Sequence, residues 1–312
     1  MKYKEIAGKK LSSMSLGTVQ LGMNYGIANN AGQPDEEMSF SMLRAALTSG
    51  ITSIDTARAY GESEDVLGRF FRTWDGEMPY ITTKVIDIQG ESEGEIEKAT
   101  VSCLETSLEK LGVKRVNNVL LHRSQDLVLN GEWVAKAMEK LVKLGYTDTV
   151  GASVYTGEEL ENMFRYDVYT ATQVPMSIFD QRLIASGMTD RLAQRGVTVF
   201  VRSVFLQGLF FLDPDTVTDP ILVEHACPKI RLLRECAERE GMSIAEMAIS
   251  FMRDVTGVTS LVLGADNADQ VKANAAYFEA KSISEETTAL IKREFADVNI
   301  PEIMKVLSRP KN

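Results

Sequence analysis

Cysteine, proline and histidine are scarce in this chain, with 3, 8 and 2 residues respectively among 312. Cys103, Cys227 and Cys236 are odd in number and stand at no metal-ligand spacing, so neither a disulfide framework nor a zinc site is indicated, and a reducing cytoplasm is the expected location. Long apolar runs are missing too. No stretch approaches the roughly 20 apolar residues that span a bilayer. The opening Met-Lys-Tyr-Lys-Glu also lacks the apolar core of a leader. Basic charge is in deficit: 34 Lys and Arg against 44 Asp and Glu leave a net charge of −10, which repels phosphate backbones and anionic membranes. Neither nucleic acid nor membrane is an expected partner.

With 44% hydrophobic and 25% charged residues, the composition suits a globular chain with an ample core. Short β-branched or apolar runs recur at 14–16, 51–54, 80–83, 119–121, 149–152, 171–174, 198–201 and 261–263, which makes eight candidate strands. Helix-period segments separate or follow them at 35–48, 62–72, 93–111, 132–144, 157–164, 188–194, 229–240, 243–253, 267–277 and 284–295. In the segment 93–111, for example, Ile96, Ala99, Cys103, Leu104, Leu108 and Leu111 form one apolar stripe. Alternation of this kind calls for a parallel sheet, and eight repeats favour a closed (β/α)₈ TIM barrel, one domain over 1–312. The longest non-periodic stretch, 205–228, reads as a βα-loop excursion. An open doubly wound sheet is the alternative. Its dinucleotide turn needs Gly-x-Gly-x-x-Gly after the first strand, and Leu16-Gly17-Thr18-Val19-Gln20-Leu21-Gly22 has the wrong spacing.

In a barrel, the C-terminal ends of the strands converge on one mouth. Here the second strand ends in Asp55, the third in Lys84 and the fourth in His122, and Tyr60 stands in the loop after Asp55. Each alone has a plain structural explanation: an N-cap, a snorkelling lysine, a packed imidazole or a packed phenol. Their joint placement after three consecutive strands is harder to explain that way. A free phenol titrates at about 10, and a neighbouring ammonium stabilises its phenolate. Lys84 would supply that ammonium, and Asp55 would hold it in place.

Asp55-Thr56-Ala57-Arg58-Ala59-Tyr60-Gly61-Glu62-Ser63-Glu64, followed by Leu67-Gly68, resembles the signature of the aldo/keto reductase family. The resemblance covers nearly the whole chain, since Lys84, His122 and the segment 264–274 fall in family order. It implies an NAD(P)H-dependent oxidoreductase with Asp55, Tyr60, Lys84 and His122 as its catalytic tetrad. Tyr60 would protonate the alkoxide left by hydride transfer to a carbonyl, and His122 would orient the substrate oxygen.

The same resemblance implies a dinucleotide lying across the barrel mouth on Gly17, Thr18, Asp55, Ser153 and Gln173. Beyond the seventh strand it implies Arg202, Ser203, Phe205 and Gln207, and beyond the eighth Gly264, Asp266, Gln270 and Asn274. Arg202 takes the place of the residue that stacks on the nicotinamide. Val154 stands where the family usually has an asparagine. Asp266 and Asp269 stand where NADP-preferring members present a cation, so NAD is the favoured cofactor.

Gln20, Leu21, Met23, Asn24, Tyr25, Arg123, Tyr155 and the excursion 205–228 are expected to wall the substrate pocket, with Gln20, Tyr25, Arg123 and Tyr155 touching the substrate. So polar a pocket suits a sugar or polyol. Arg123 could grip a carboxylate or phosphate on the substrate, but an ion pair with Asp126 or another acid is the favoured reading, and no chemical role is expected of His225. Two other functions stay open, a redox-neutral sugar epimerase or lyase with bound cofactor and a dinucleotide-sensing regulatory subunit.

Overall fold

A computed structural model describes residues 1–27, 29 and 32–309. Ten strands form: β1 (Tyr3–Ile6), β2 (Lys9–Ser12), β3 (Met14–Gly17), β4 (Ser53–Asp55), β5 (Tyr80–Val85), β6 (Asn118–Leu121), β7 (Thr149–Ser153), β8 (Tyr169–Pro175), β9 (Thr198–Arg202) and β10 (Ser260–Leu263). The last eight pair in parallel in sequence order, and β10 closes the ring between β9 and β3, giving the expected (β/α)₈ barrel. The strands are short and buried on both faces, as a parallel sheet wrapped in helices requires. Their outer faces meet amphipathic helices such as Ser63–Phe71 and Gly131–Lys143, which bury one side and expose acidic and basic residues on the other.

The barrel interior is partly polar, and its polar groups are paired. Ser15 lies 2.7 Å from Ser53 and 2.8 Å from Ser260, hydroxyl to hydroxyl, which links three strands across the seam. The antiparallel hairpin β1–β2 precedes the barrel, and Leu11 at its inner end packs with Tyr80 and Phe200 in a small cluster of its own. Tyr80, Phe200 and Ser260 lie at the starts of their strands or toward that end, so the hairpin stoppers the N-terminal mouth. The opposite, C-terminal mouth opens into a cleft.

Several boundaries differ from the sequence reading. The second barrel strand runs Ser53–Asp55 rather than 51–54, because Ile51 is fully buried but stands before the first strand pairing. Elements that had not been anticipated include the hairpin, the short helices Val19–Gly22 and Arg182–Ala185, the 3₁₀ turn Ser124–Leu127 and the C-terminal helix Ile300–Leu307. The stretch 205–228 follows β9 and carries a 3₁₀ turn, Leu206–Phe211, and a helix, Pro220–His225, capped by the Asp219 carboxylate. The helix expected from 229 begins at Cys227. All three cysteines are free thiols, and no disulfide forms among the described residues.

Candidate active site

The chain leaves β4 at Asp55 and must turn at once to place Tyr60 over the mouth. Hydroxyls shape that turn. Thr18 donates from both its amide and its Oγ1 to the Asp55 carbonyl, at 3.0 and 2.9 Å. Ser63 donates to Thr18 Oγ1 at 2.8 Å and lies 3.0 Å from the Thr56 hydroxyl. Two glycines then let the backbones cross. A Cβ on Gly22 would stand 1.7 Å from the Tyr60 carbonyl oxygen, and Gly61 adopts a left-handed φ of 53° against Gly22. Tyr60 is thus held from below by its own loop and from the side by the segment after β3.

Beneath it, Lys84 on β5 is buried to 1% exposure. Its Nζ donates to Asp55 Oδ1 at 2.7 Å, to the Thr56 carbonyl at 3.0 Å and to the Tyr60 hydroxyl at 3.3 Å, which uses all three ammonium protons. The other Asp55 oxygen accepts from Gln173 Nε2 at 2.7 Å. Burial works against the ammonium, but the Asp55 carboxylate, aided by Tyr60, outweighs it and holds Lys84 above the usual lysine range. The cation next to the phenol is therefore permanent at neutral pH.

His122 follows β6 and meets Tyr60 edge to face, with ring centres 5.9 Å apart and planes at 85°. Its Nδ1 is buried with no partner among the described residues. Burial first, then the charges of Lys84, Arg202 and Arg123, push its pKa down to about 4. The imidazole is therefore neutral across the ordinary working range, a donor without charge. An NMR titration should show one of the two imidazoles silent between about pH 5 and 8, and that resonance should vanish in His122→Asn. The linkage has a definite sign. A histidine whose folded pKa lies below its unfolded value of about 6.5 adds stability above that value, lost as pH falls towards 4. An imidazole at His122 that titrates near 6.5 would contradict this electrostatic picture.

Tyr60 and Asp55 open onto a cleft of about 430 Å³ at the C-terminal mouth. Of the residues expected at the cofactor, Gly17, Thr18, Gln173, Arg202, Ser203, Phe205, Gln207, Gly264, Asp266, Gln270 and Asn274 line it. Thr18 is fully buried, with its hydroxyl already committed to the Asp55 carbonyl. Ser153 is buried at the end of β7 outside that lining, and Val154 packs in the hydrophobic core. Gln270 accepts from the Asp266 amide at 2.7 Å, and Asn274 donates to the Gly264 carbonyl at 3.3 Å, so this segment is internally braced.

The expected substrate residues divide. Tyr25 lines the cleft, and burial pushes its phenol upward, with Tyr60 and Tyr155 reinforcing and Arg202 opposing. Gln20 lines the cleft too, but at its far end: a Cβ on Gly264 would lie 2.3 Å from the Gln20 amide nitrogen. Tyr155 lies under the Arg202 guanidinium, 4.3 Å from ring centre to carbon. Arg123 stands outside the cleft lining and pairs with Asp87 at 3.0 Å rather than Asp126, and Leu21 turns into the core.

Phe211, from the stretch 205–228 expected at the pocket wall, lines the cleft, whereas Asn29, Ala245, Ala273 and Tyr277 had not been anticipated. Gln270, Ala273, Asn274 and Tyr277 sit at helical spacing on one face of Ala268–Tyr277, a signal the sequence carried. Asn29 belongs to a segment that reaches across the cleft, where the Ile27 amide donates to the Gln207 carbonyl at 3.0 Å. Opposite it, Ser203, Leu206 and Gln207 all take left-handed φ values, of 65°, 46° and 57°. Such backbone costs about 1–3 kcal/mol per residue and collects where a ligand needs it.

The family model for the aldo/keto reductase family matches residues 13–294. The chain is 26% identical to the L-glyceraldehyde 3-phosphate reductase of Escherichia coli strain K12, over 95% of this chain and 92% of that protein. It is 24% identical to the aldo-keto reductase YhdN of Bacillus subtilis, over 88% and 87%. Among solved structures it resembles the holo form of an aldo-keto reductase from Bacillus halodurans, with a TM-score of 0.74 and 22% identity over 94% of this chain and 96% of that one. At that identity the likeness speaks for the fold. Among the described residues no helix is long and apolar enough to cross a membrane, and no group of acidic, histidine and cysteine side chains is set to hold a metal.

Proposed function

The chain belongs to the aldo/keto reductase family and is an NAD(P)-dependent oxidoreductase, and we propose that Tyr60 is its general acid and base on a sugar or polyol-like carbonyl substrate. One observation carries this: a fully buried lysine ammonium bridges the Asp55 carboxylate and the Tyr60 hydroxyl at the wall of the open cleft. A buried ion pair aimed at a phenol has little use as a structural brace, since an apolar pair of the same size would hold the barrel as well.

The cleft suits a dinucleotide. Its volume falls in the range of cofactor pockets, and Gln20 Oε1 is buried in it without a partner among the described residues. Gly17, Gln173, the strained 203–207 segment and Gly264, Asp266, Gln270 and Asn274 would hold the cofactor, with Ser153 behind Gln173. When bound, NAD(P)H supplies hydride. Tyr60 then delivers a proton to the substrate oxygen, Lys84 stabilises the phenolate left behind, Asp55 keeps Lys84 in place, and neutral His122 donates a hydrogen bond to the same oxygen. Oxidation follows the same path in reverse.

NAD is the proposed preference over NADP. Asp266 lies in the adenosine segment, where a carboxylate repels a 2′-phosphate and accepts from a ribose hydroxyl. Lys272, the cation nearest in sequence, pairs with Asp269 at 3.4 Å on the surface. The free thiols suit a reducing cytoplasm. Absorbance of NADH and NADPH over a panel of aldoses, keto-sugars and alkyl aldehydes tests these assignments together. Hydroxylated carbonyls should consume NADH. Turnover confined to alkyl aldehydes would overturn the substrate assignment, and isomerised sugar without net oxidation would favour an epimerase. Tight cofactor binding with no turnover would favour a sensor.

A further inference from the structure

β9 ends at Arg202, paired in register with Pro175 on β8, and the chain turns sharply at the left-handed Ser203. The side chain therefore leaves the strand at the open mouth. It is fixed on two sides: its guanidinium lies over the Tyr155 ring at 4.3 Å, and its Nη1 donates to Ser203 Oγ at 3.4 Å. Its Nη2 is buried and has no hydrogen-bond partner, and no ion pair among the described residues reaches it. A guanidinium edge removed from water without an acceptor is costly unless something else supplies one.

The other two cations whose charges act on His122 are already matched. Lys84 is paired with Asp55, and Arg123 with Asp87. Arg202 is the one cation among the described residues lining the cleft, whose carboxylates are Asp55, paired with Lys84 and hydrogen-bonded by Gln173, and Asp266 in the adenosine segment. Arg202 lines the same cleft as Tyr60, and its charge helps to lower the pKa of His122, which meets the Tyr60 ring. In a chain of net charge −10, the reacting end of the cleft therefore presents an unmatched, immobilised positive fork.

Resting on the carbonyl-reductase reading above, we propose that Arg202 selects substrates carrying an oxyanion, a phosphate or a carboxylate, a few bonds from the reacting carbonyl. A planar guanidinium held in place by stacking binds either group through paired N–H donors, and little side-chain freedom remains to be lost. Arg202 thereby serves the substrate, and the turn from Ser203 to Gln207 serves the cofactor.

Two substrate pairs, in each of which one member carries an anionic group that the other lacks, test this: glyceraldehyde 3-phosphate against glyceraldehyde, and succinic semialdehyde against butanal. The wild-type kcat/KM should favour the anion of at least one pair by about tenfold to a hundredfold, and which pair does so separates phosphate from carboxylate. Arg202→Gln should bring that ratio close to unity by raising KM for the anion, and Arg202→Lys should retain part of it. Fluorescence titration of NADH onto each variant supplies the control. A wild-type ratio near unity in both pairs overturns the proposal. So does an Arg202→Gln variant that keeps the ratio while binding NADH more weakly, which would give Arg202 to the cofactor. If the wild-type protein reduces neither pair, the reductase reading is what fails. Calorimetric titration of glycerol 3-phosphate and of glycerol into the NAD⁺-saturated protein then decides the anion site. Stronger binding of the phosphate, lost in Arg202→Gln, supports it, and equal or absent binding overturns it.

Discussion

Tyr60→Phe lowers kcat by about 10²- to 10⁴-fold and leaves NADH binding nearly unchanged, the first figure being the usual worth of a positioned acid. The variant removes one oxygen and little else. The ring keeps its edge contact with His122 at 5.9 Å and its place 4.9 Å from the Lys84 ammonium, so the cleft wall survives. Initial rates with NADH and a hydroxylated aldehyde, set beside cofactor fluorescence titrations, measure the two halves separately. Full activity would remove Tyr60 as the acid. An equal loss of binding would make it a cofactor-holding residue.

Lys84→Met should damage both activity and stability. The methionine fills the space of the lysine stem, but Asp55 Oδ1 loses its 2.7 Å partner at a site with 2% exposure. Breaking a buried pair from one side costs about 3–5 kcal/mol, because the remaining charge is left unmatched. In a chain of this size each kcal/mol lowers Tm by roughly 2–4 °C, so a fall of roughly 10 °C is expected by thermal denaturation. The double variant Lys84→Met, Asp55→Asn should recover most of that stability and none of the activity, since removing both charges is far less costly than removing one. The single variant tests the pair as a brace, and the double variant separates bracing from chemistry. A Lys84→Met protein as stable as wild type would mean that Asp55 finds its compensation elsewhere.

The strands were legible because each barrel strand is a short buried run bounded by a polar turn, and the parallel arrangement follows from their alternation with helices. The hairpin β1–β2 was not. Tyr3–Ile6 and Lys9–Ser12 carry lysines and a glutamate and bury little besides Leu11 and Ser12, so neither shows the apolar run that marks a strand. Ile300–Leu307 escaped because Pro301 stands at its first turn, where proline opens a helix as readily as it ends one. At the site, Asp55, Lys84 and His122 could be placed at strand ends from local pattern, and Tyr60 from its turn. No local pattern predicts that Gln20 lies against Gly264, that Arg123 prefers Asp87, or that Ala245, on a helix well removed in sequence, reaches the cleft.

The sequence by itself determined the order of the barrel strands and most of the helices, and which four side chains gather at one mouth. These follow from period, burial and residue type over a few neighbouring positions. Only the tertiary structure decided how those side chains are partnered. Gln173 reaches Asp55 across 118 positions, and Tyr155 and Ser203 hold Arg202 with one edge unmatched. Such contacts arise when β10 closes the ring between β9 and β3, and closure sets distances that no local stretch of chain encodes. The reaction type is written in residue identity, and the partnering of Arg202 in where the closed barrel holds it.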